Sequence, residues 1–416
     1  MVFFPTLRDI KGVVKIRPAT KIDNFVFRLH YKYTFGILVL SALLLAKDSY
    51  FGQKIDCHLQ SSVTPGFLNH FCWLTGPYLV ESALTKVVGK EVTAPGIANP
   101  TESDKIISYY YYQWIVFILG LQSAAFYTTH LVWKIREGGL ISHLVSPLIS
   151  LKVDSENKKP QLLKRAAEKL CKRMGTFKSY FRFYFALECV NLFHVLLEIY
   201  LTNIFLNGLF ITYGVDVICY FSLSAQQRQQ TVNPMTKAFP LLAKCTFHRS
   251  GPEGGIETLR PLCQLPLNIM NERIFLVLWF VFWILAIINT ILIVYRIVIV
   301  CSQRYRYRCL FTDNCKAYID KDKRRIVIEK CSFSDWWIVH LIFKNLRDDD
   351  FVDFIDILAK TLKNKRGKEK VFNYEKEKAE VEHQLHVVKN NENDEGDLPI
   401  NSSKCLNDDE ETSEFV

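Results

Sequence analysis

No Asp, Glu, Lys or Arg occurs between Ile106 and Trp133, and none between Ile274 and Tyr295. Blocks so long and so free of charge exclude a uniformly soluble protein, and each can cross a bilayer with some tilt. Also missing are a P-loop, a Gly-x-Ser-x-Gly elbow and a His-Glu-x-x-His helix, so no recognised catalytic constellation supports an enzyme. Twelve cysteines in 416 residues are too sparse for a disulfide mini-scaffold. No Cys/His spacing fits a zinc finger, and no metal or cofactor is expected. Residues 1–18 lack the apolar core and cleavage site of a secretory signal, which leaves the first span as the insertion signal.

Two further spans carry charge. The uncharged run Tyr33 to Ala46 is short, but Phe25, Phe27, Leu29 and Tyr31 extend it, and Arg28 and Lys32 can snorkel toward head groups. The block Phe183 to Leu206 holds Glu188, His194 and Glu198. At ~1.5 Å per residue the two acids fall near the interfaces and His194 near the midplane, so only the histidine needs a deep partner. A charge facing lipid at a helix centre costs about 2.5–3.5 kcal/mol.

Lys and Arg number seven in residues 1–32, five in 47–108, twelve in 134–182, six in 209–273 and twenty-one after residue 300. The positive-inside rule then puts both termini and the middle loop in the cytosol and the two poorer segments outside. The expected fold is an all-α integral membrane protein with four transmembrane helices. Its parts are an N-terminal segment (1–24), spans at 25–46, 109–133, 183–206 and 274–300, outer loops at 47–108 and 207–273, and a middle loop (134–182). An inner helical region (301–362) and a disordered tail (363–416) complete it.

Each outer loop has one well-spaced cysteine pair, Cys57 with Cys72 and Cys245 with Cys263. An oxidising exterior favours disulfides, and four cysteines allow three connectivities. Bridges between the loops would make them one rigid unit and lower the ordering cost of docking; ordinary stapling is the plainer alternative. Cys219, embedded in apolar sequence, reads as a buried thiol. The only usable Asn-x-Ser/Thr is Asn401-Ser402-Ser403, in the tail, so the outer loops should carry no N-glycan and can approach another protein closely.

The motifs then converge. Tyr111 to Trp114 opens the second span with YYQW, and Glu137-Gly138-Gly139 follows it. Tyr213-Gly214, Asn233-Pro234-Met235 and FPLLAKCTF at 239–247 come next, then LCQLPLN at 262–268, Asn271-Glu272-Arg273 and LWF at 278–280. With SDWWIVHLIFKNL at 334–346, where Ser334 replaces a usual glycine, the chain resembles an innexin, the invertebrate gap-junction channel protein related to pannexins. The resemblance covers residues 5 to 362. Asn207-Gly208, where many relatives have paired glycines, and an extra tyrosine run are departures.

The resemblance implies a ring-shaped oligomeric channel, an octamer, alone or mixed with other innexins, whose outer loops dock with a ring on the adjacent cell. It also implies that the N-terminal segment folds into the pore mouth, making Phe3, Phe4, Lys47 and Asp48 pore-lining candidates. Read alone, Lys47 and Asp48 are an interfacial charge pair worth under ~1 kcal/mol. Leu7, Ile10, Val13 and Val14 form an apolar stripe behind Pro5, which alone suits an interfacial helix. An unpaired hemichannel releasing small molecules and a poreless adhesion or scaffold protein are the alternative functions.

His194 and Glu198 share a helix face and are candidates for pH sensing or gating, with a satisfied structural histidine as the plainer reading. Tyr109 to Tyr112, Trp114 and Trp133 read as an aromatic belt. On the inner side, residues 158–173 have helical spacing and would pack under the channel or lie on acidic lipid. Stripes at 335–346 and 351–362 predict two dome helices, the second capped by Asp350. Cys301, Cys309, Cys315 and Cys331 are expected as free thiols, with acylation of Cys301 or Cys309 as an alternative. Arg304, Arg306 and Arg308 read as a topology anchor and lipid contact, not a nucleic-acid site. Glu414-Phe415-Val416 loosely resembles a PDZ-binding end.

Overall fold

A computed structural model describes residues 20–59, 64–149, 159–251, 254–311 and 318–364. Phe3, Phe4, the stripe behind Pro5, Cys315, Asn401 and almost all of the 363–416 tail lie outside them.

Charge-poor sequence becomes long helix. Among the described residues, four helices are long and apolar enough to span a membrane: Phe25–Tyr50, Ile115–Glu137, Lys178–Phe205 and Asn268–Cys301. The first is composite, with α1 (Phe25–Arg28), a π-helical stretch (Leu29–Thr34) and α2 (Phe35–Phe51). Asn24 caps it, its Oδ1 accepting from Phe27 N at 2.6 Å, the usual role of a short polar side chain at a helix start. An outer segment follows with β1 (Asp56–His58), α3 (Pro65–Thr75), β2 (Tyr78–Val80) and β3 (Ile106–Ser108).

The second span, α4 (Ile115–Glu137), stops at Gly138, whose φ of 59° is the left-handed conformation that glycine adopts without penalty. Lys134 and Arg136 in its last turn complement the helix dipole. On the side expected to be cytosolic, called inner below, lie α5 (Leu140–Ile149) and α6 (Lys159–Arg173), then the third span α7 (Lys178–Phe205). Asn207, at φ 53°, and Gly208, at φ 83°, end it, and asparagine tolerates that backbone where most residues do not.

The second outer segment holds α8 (Phe210–Ser222), α9 (Ala225–Gln230) and α10 (Pro234–Ala238), then β4 (Leu242–Lys244), β5 (Phe247–Ser250), β6 (Ile256–Leu259) and β7 (Leu262–Gln264). The fourth span is α11 (Asn268–Cys301), and the inner region continues as α12 (Gln303–Leu310), α13 (Lys321–Lys330), α14 (Phe333–Phe343) and α15 (348–364). Both outer segments supply strands to one antiparallel sheet of order β1-β7-β4-β2-β3, with β5 and β6 a separate hairpin.

Apolar side chains gather at two ends. The inner core joins Phe27, Trp133, Tyr184, Trp336, Trp337, Phe351 and Phe354; the outer core joins Leu38, Tyr111, Phe239, Phe275, Phe282 and the outer cysteines. Each large apolar side chain so enclosed contributes roughly 1.5–3 kcal/mol.

Several expectations are corrected. Trp133, Tyr109, Tyr111 and Tyr112 are buried, so a lipid-facing belt is not their arrangement; Tyr110 and Trp114 alone of that set are exposed. The buried tyrosines tie the start of the second span to helices of the outer segments, Tyr109 Oη donating to Lys237 O in α10 at 2.8 Å and Tyr112 Oη to Trp73 O in α3 at 2.6 Å. Cys219 is exposed, because α8 turns Phe210, Tyr213, Gly214 and Val217 inward and leaves the opposite face open. Helix α15 begins ahead of Asp350, which is not its cap; instead Asp350 meets Lys159 Nζ at 2.6 Å and Arg347 Nε at 3.2 Å. Glu188 and Arg296 are both buried and paired with each other, a partnership that reading the two blocks separately does not anticipate.

Gly214 explains a motif. A Cβ there would stand 2.1 Å from Trp279 Cε3, so the Tyr213-Gly214 pair exists to let the LWF tryptophan close onto α8, where Trp279 Nε1 donates to Ile211 O at 2.9 Å.

His340 is half-buried against the inner core, stacked on Trp336 with ring centroids 5.2 Å apart. Burial, with Lys344 and Arg296 adding like charge, pushes its pKa down to about 3. The unfolded chain takes up this proton near pH 6.5 and the folded dome refuses it. Its contribution is therefore whole above that value and drains as pH falls toward about 3, by at most about 1.4 kcal/mol per unit. Tryptophan fluorescence of purified protein is expected to show the dome loosening across that window, with His340→Gln flattening the dependence.

Candidate functional site

Two assemblies stand out, one at each end of the spans. The outer one is a clasp. Strands β1 and β7 pair antiparallel with Cys57 directly opposite Cys263, and these two cysteines are disulfide-bonded. Pro65 opens α3 at a position where its missing N–H costs nothing. Leu68 and Cys72, one turn apart, form its buried face, and Cys72 bridges to Cys245 beyond the end of β4. Each bridge therefore joins the first outer segment to the second, over sequence separations of 206 and 173 residues. The sulfurs of Cys57, Cys72 and Cys263 lie within 4.8 Å of one another, so the bridges sit side by side; bonded in pairs, they offer no thiolate to a metal.

Side chains around the clasp hold it to the spans. Asn69 Oδ1 accepts from Cys57 N at 2.8 Å, and Gln113 Nε2 donates to Trp73 O at 2.5 Å. Asn268 Nδ2 donates to Pro240 O at 2.7 Å, and Tyr213 Oη to Glu272 O at 3.1 Å. Asn233 caps α10, accepting from Met235 N at 2.9 Å. The motifs that carry the resemblance are thus parts of one frame.

The inner assembly is the root of the N-terminal segment. Lys21 N donates to Asn345 Oδ1 at 2.7 Å, and Asn345 Nδ2 donates back to Lys21 O at 2.8 Å, so one amide side chain grips the backbone as a neighbouring strand would. Asn24 N donates to Tyr184 Oη at 3.2 Å and Asn24 Nδ2 to Glu188 Oε1 at 2.6 Å. Glu188 also accepts from Arg296, through Nη2 at 2.9 Å and Nε at 3.0 Å. The guanidinium lies 4.4 Å over the ring of Trp337. Two buried charges survive only when paired and hydrogen-bonded, and here every face of the pair is used.

Trp337 is positioned by its neighbours. Ser332 Oγ donates to Asp335 Oδ2 at 2.6 Å and caps α14, while Asp335 Oδ1 accepts from Gly175 N at 2.9 Å. The Asp-Trp-Trp motif is therefore the piece that connects the dome to the third and fourth spans. Sequence reasoning missed Asn24, Arg296 and Asn345. A polar side chain at a helix start and an arginine one turn inside an apolar block were the available signals.

The named candidates fall as follows. Lys47 is exposed near the outer end of α2, with Asp48 half-buried beside it. His194 Nε2 stands 3.1 Å from Glu198 Oε1, an ion-pair distance in an orientation that falls short of a hydrogen bond. Phe126 meets the His194 ring edge-on at 4.5 Å. A buried histidine lies in the first span, where His30 Nε2 accepts from Asn289 Nδ2 at 2.5 Å. The π-helical turn around His30 widens the helix where that contact forms.

Comparison with known proteins agrees with this frame. The Innexin family model matches residues 23–362. Innexin inx2 of Drosophila melanogaster is 34% identical over 360 residues, covering 86% of this chain and 96% of that protein. Innexin inx1 of the same species is 35% identical over 361 residues, covering 86% and 97%. Innexin shaking-B, also from Drosophila melanogaster, is 33% identical over 359 residues, covering 85% and 94%. The chain belongs to the innexin family of gap-junction channel subunits.

Proposed function

We propose that the subunits form an octameric ring around a wide aqueous pore, with both termini in the cytosol, and that rings on apposed plasma membranes dock through their outer segments. The channel passes ions and small solutes by diffusion and performs no catalysis. It assembles from copies of this chain, alone or with other innexins. Phe3 and Phe4 line the inner mouth, and Lys47 and Asp48 bias selectivity near the outer end. The observation that carries this reading is the clasp: two bridges between distant segments make one preorganised face, and preorganisation lowers the cost of ring-to-ring contact.

Recording from paired cells that express this chain alone tests it. Junctional conductance is the expected result, with tags at both ends unreachable from outside intact cells. Tags reachable at both ends overturn the topology, and tracer uptake by single cells without coupling between pairs moves the reading to an undocked hemichannel.

His194 and Glu198 form the proposed acid-responsive element. Protonating the imidazole turns a 3.1 Å contact into an ion pair within the third span, with His30 the neighbouring titratable group from the first span. His194→Gln is expected to blunt the response of junctional current to acidification. An unaltered response removes His194 from that role.

A further inference from the structure

A cleft of about 650 Å³ opens where α4 ends and α5 and α6 meet. Its apolar wall is Leu140 and Leu144, and Lys169, Lys172 and Arg173 stand along it, with His143 at the side. Spacing of three and four residues puts the three cations on one face of α6, while Leu163, Ala167 and Leu170 fix its other face in the inner core. Like charges so placed repel, and an anion among them relieves that repulsion.

The one acid of the cleft does not offset them freely. Glu137 Oε2 accepts from Gly139 N at 2.8 Å and Oε1 from Ile141 N at 2.7 Å, so its carboxylate is held against the start of α5. Gly138 and Gly139, at φ 59° and 78°, make the sharp turn that allows this. The Glu-Gly-Gly motif thereby shapes the cleft and keeps its acid turned toward backbone N–H groups.

Position identifies the source of the anion. Leu131, Val132 and Ile135 on α4 are exposed, Ile135 by 79%, and form an apolar stripe over the last turns of the span, ending three residues before Gly138, which lines the cleft. A ligand with acyl chains along that stripe and a charged head among the lysines matches both chemistries. We propose that this cleft binds the phosphorylated headgroup of an anionic lipid. Its assignment to the cytosolic leaflet rests on the topology proposed above; binding itself does not.

The test uses full-length protein in detergent, titrated with short-chain phosphatidylinositol bisphosphate, short-chain phosphatidylcholine and free inositol trisphosphate. Saturable binding of the first is expected, tighter than either of the others. Joint replacement Lys169→Gln, Lys172→Gln and Arg173→Gln is expected to weaken it at least about tenfold, since each cation near a phosphate contributes appreciably. Lys164→Gln with Arg165→Gln, exposed on the same helix but outside the cleft, is expected to change it by less than about twofold. Thermal unfolding of each variant establishes that it is folded. Unweakened binding by the triple variant, or an equal loss in the control pair, overturns the site. Inositol trisphosphate binding as tightly as the lipid overturns the lipid assignment. Detergent exposes both faces, so an error in topology leaves this result intact and shows only in tag accessibility.

Discussion

Cells paired after expressing Cys57→Ser on both sides will show no junctional conductance above background. The bridge from Cys57 to Cys263 holds β1, a strand of three residues, against β7, and so short a ladder has little stability of its own. Removing a native disulfide from a small outer domain costs about 2–5 kcal/mol. That loss falls on the face proposed to dock, where looseness must be repaid before two rings meet. Cys72→Ser acts in the same way through Cys245 and the α3 helix. Cys219→Ser, which alters an exposed free thiol, should leave coupling unchanged and controls for the chemistry of the substitution. Coupling within about twofold of the wild type in Cys57→Ser would show that backbone pairing alone maintains the face.

The second large effect is at the inner end. Arg296→Met leaves Glu188 charged, buried and without its main partner, which costs about 3–5 kcal/mol. Adding Glu188→Leu removes the stranded charge, so the double variant is expected to be more stable than Arg296→Met alone. Asn24 still loses its acceptor and Trp337 its cation, so recovery stays incomplete. Thermal unfolding of the detergent-solubilised protein measures all three. A double variant no more stable than the single one would mean that volume and packing, not charge, decide this position.

Coupling between the dome and the N-terminal segment follows from the same residues. Asn24 begins the first span, Glu188 and Arg296 belong to the third and fourth, and Trp337 belongs to the dome. These contacts tie Lys21–Asn24 to the third and fourth spans, and Asn345 holds the same stretch from the dome side.

What could be read without coordinates depended on length scale. The spans were plain because an apolar block of more than twenty residues has few other fates in water. The outer sheet was not, because strands of three or four residues are too short to display an alternating period. The role of Arg296 was hidden because its partner Glu188 is 108 residues away, and no local pattern announces a tertiary ion pair. The tyrosine run looked like a lipid-facing belt because aromatics favour that interface, yet Tyr109 and Tyr112 point their hydroxyls at backbone carbonyls of the outer segments. The cysteine pairs were visible, but the choice among connectivities required the β1–β7 register.

The clasp also dictates a schedule for biosynthesis. Cys57 emerges from the ribosome 206 residues ahead of Cys263, a delay of roughly 10–40 s at ordinary elongation rates. For most of that interval neither Cys57 nor Cys72 has its native partner, so a premature local crosslink is available and must be reshuffled once Cys245 and Cys263 arrive. Nascent chains should therefore depend on a lumenal thiol isomerase, and a translation stall between the third and fourth spans would leave two reduced cysteines on display to quality control.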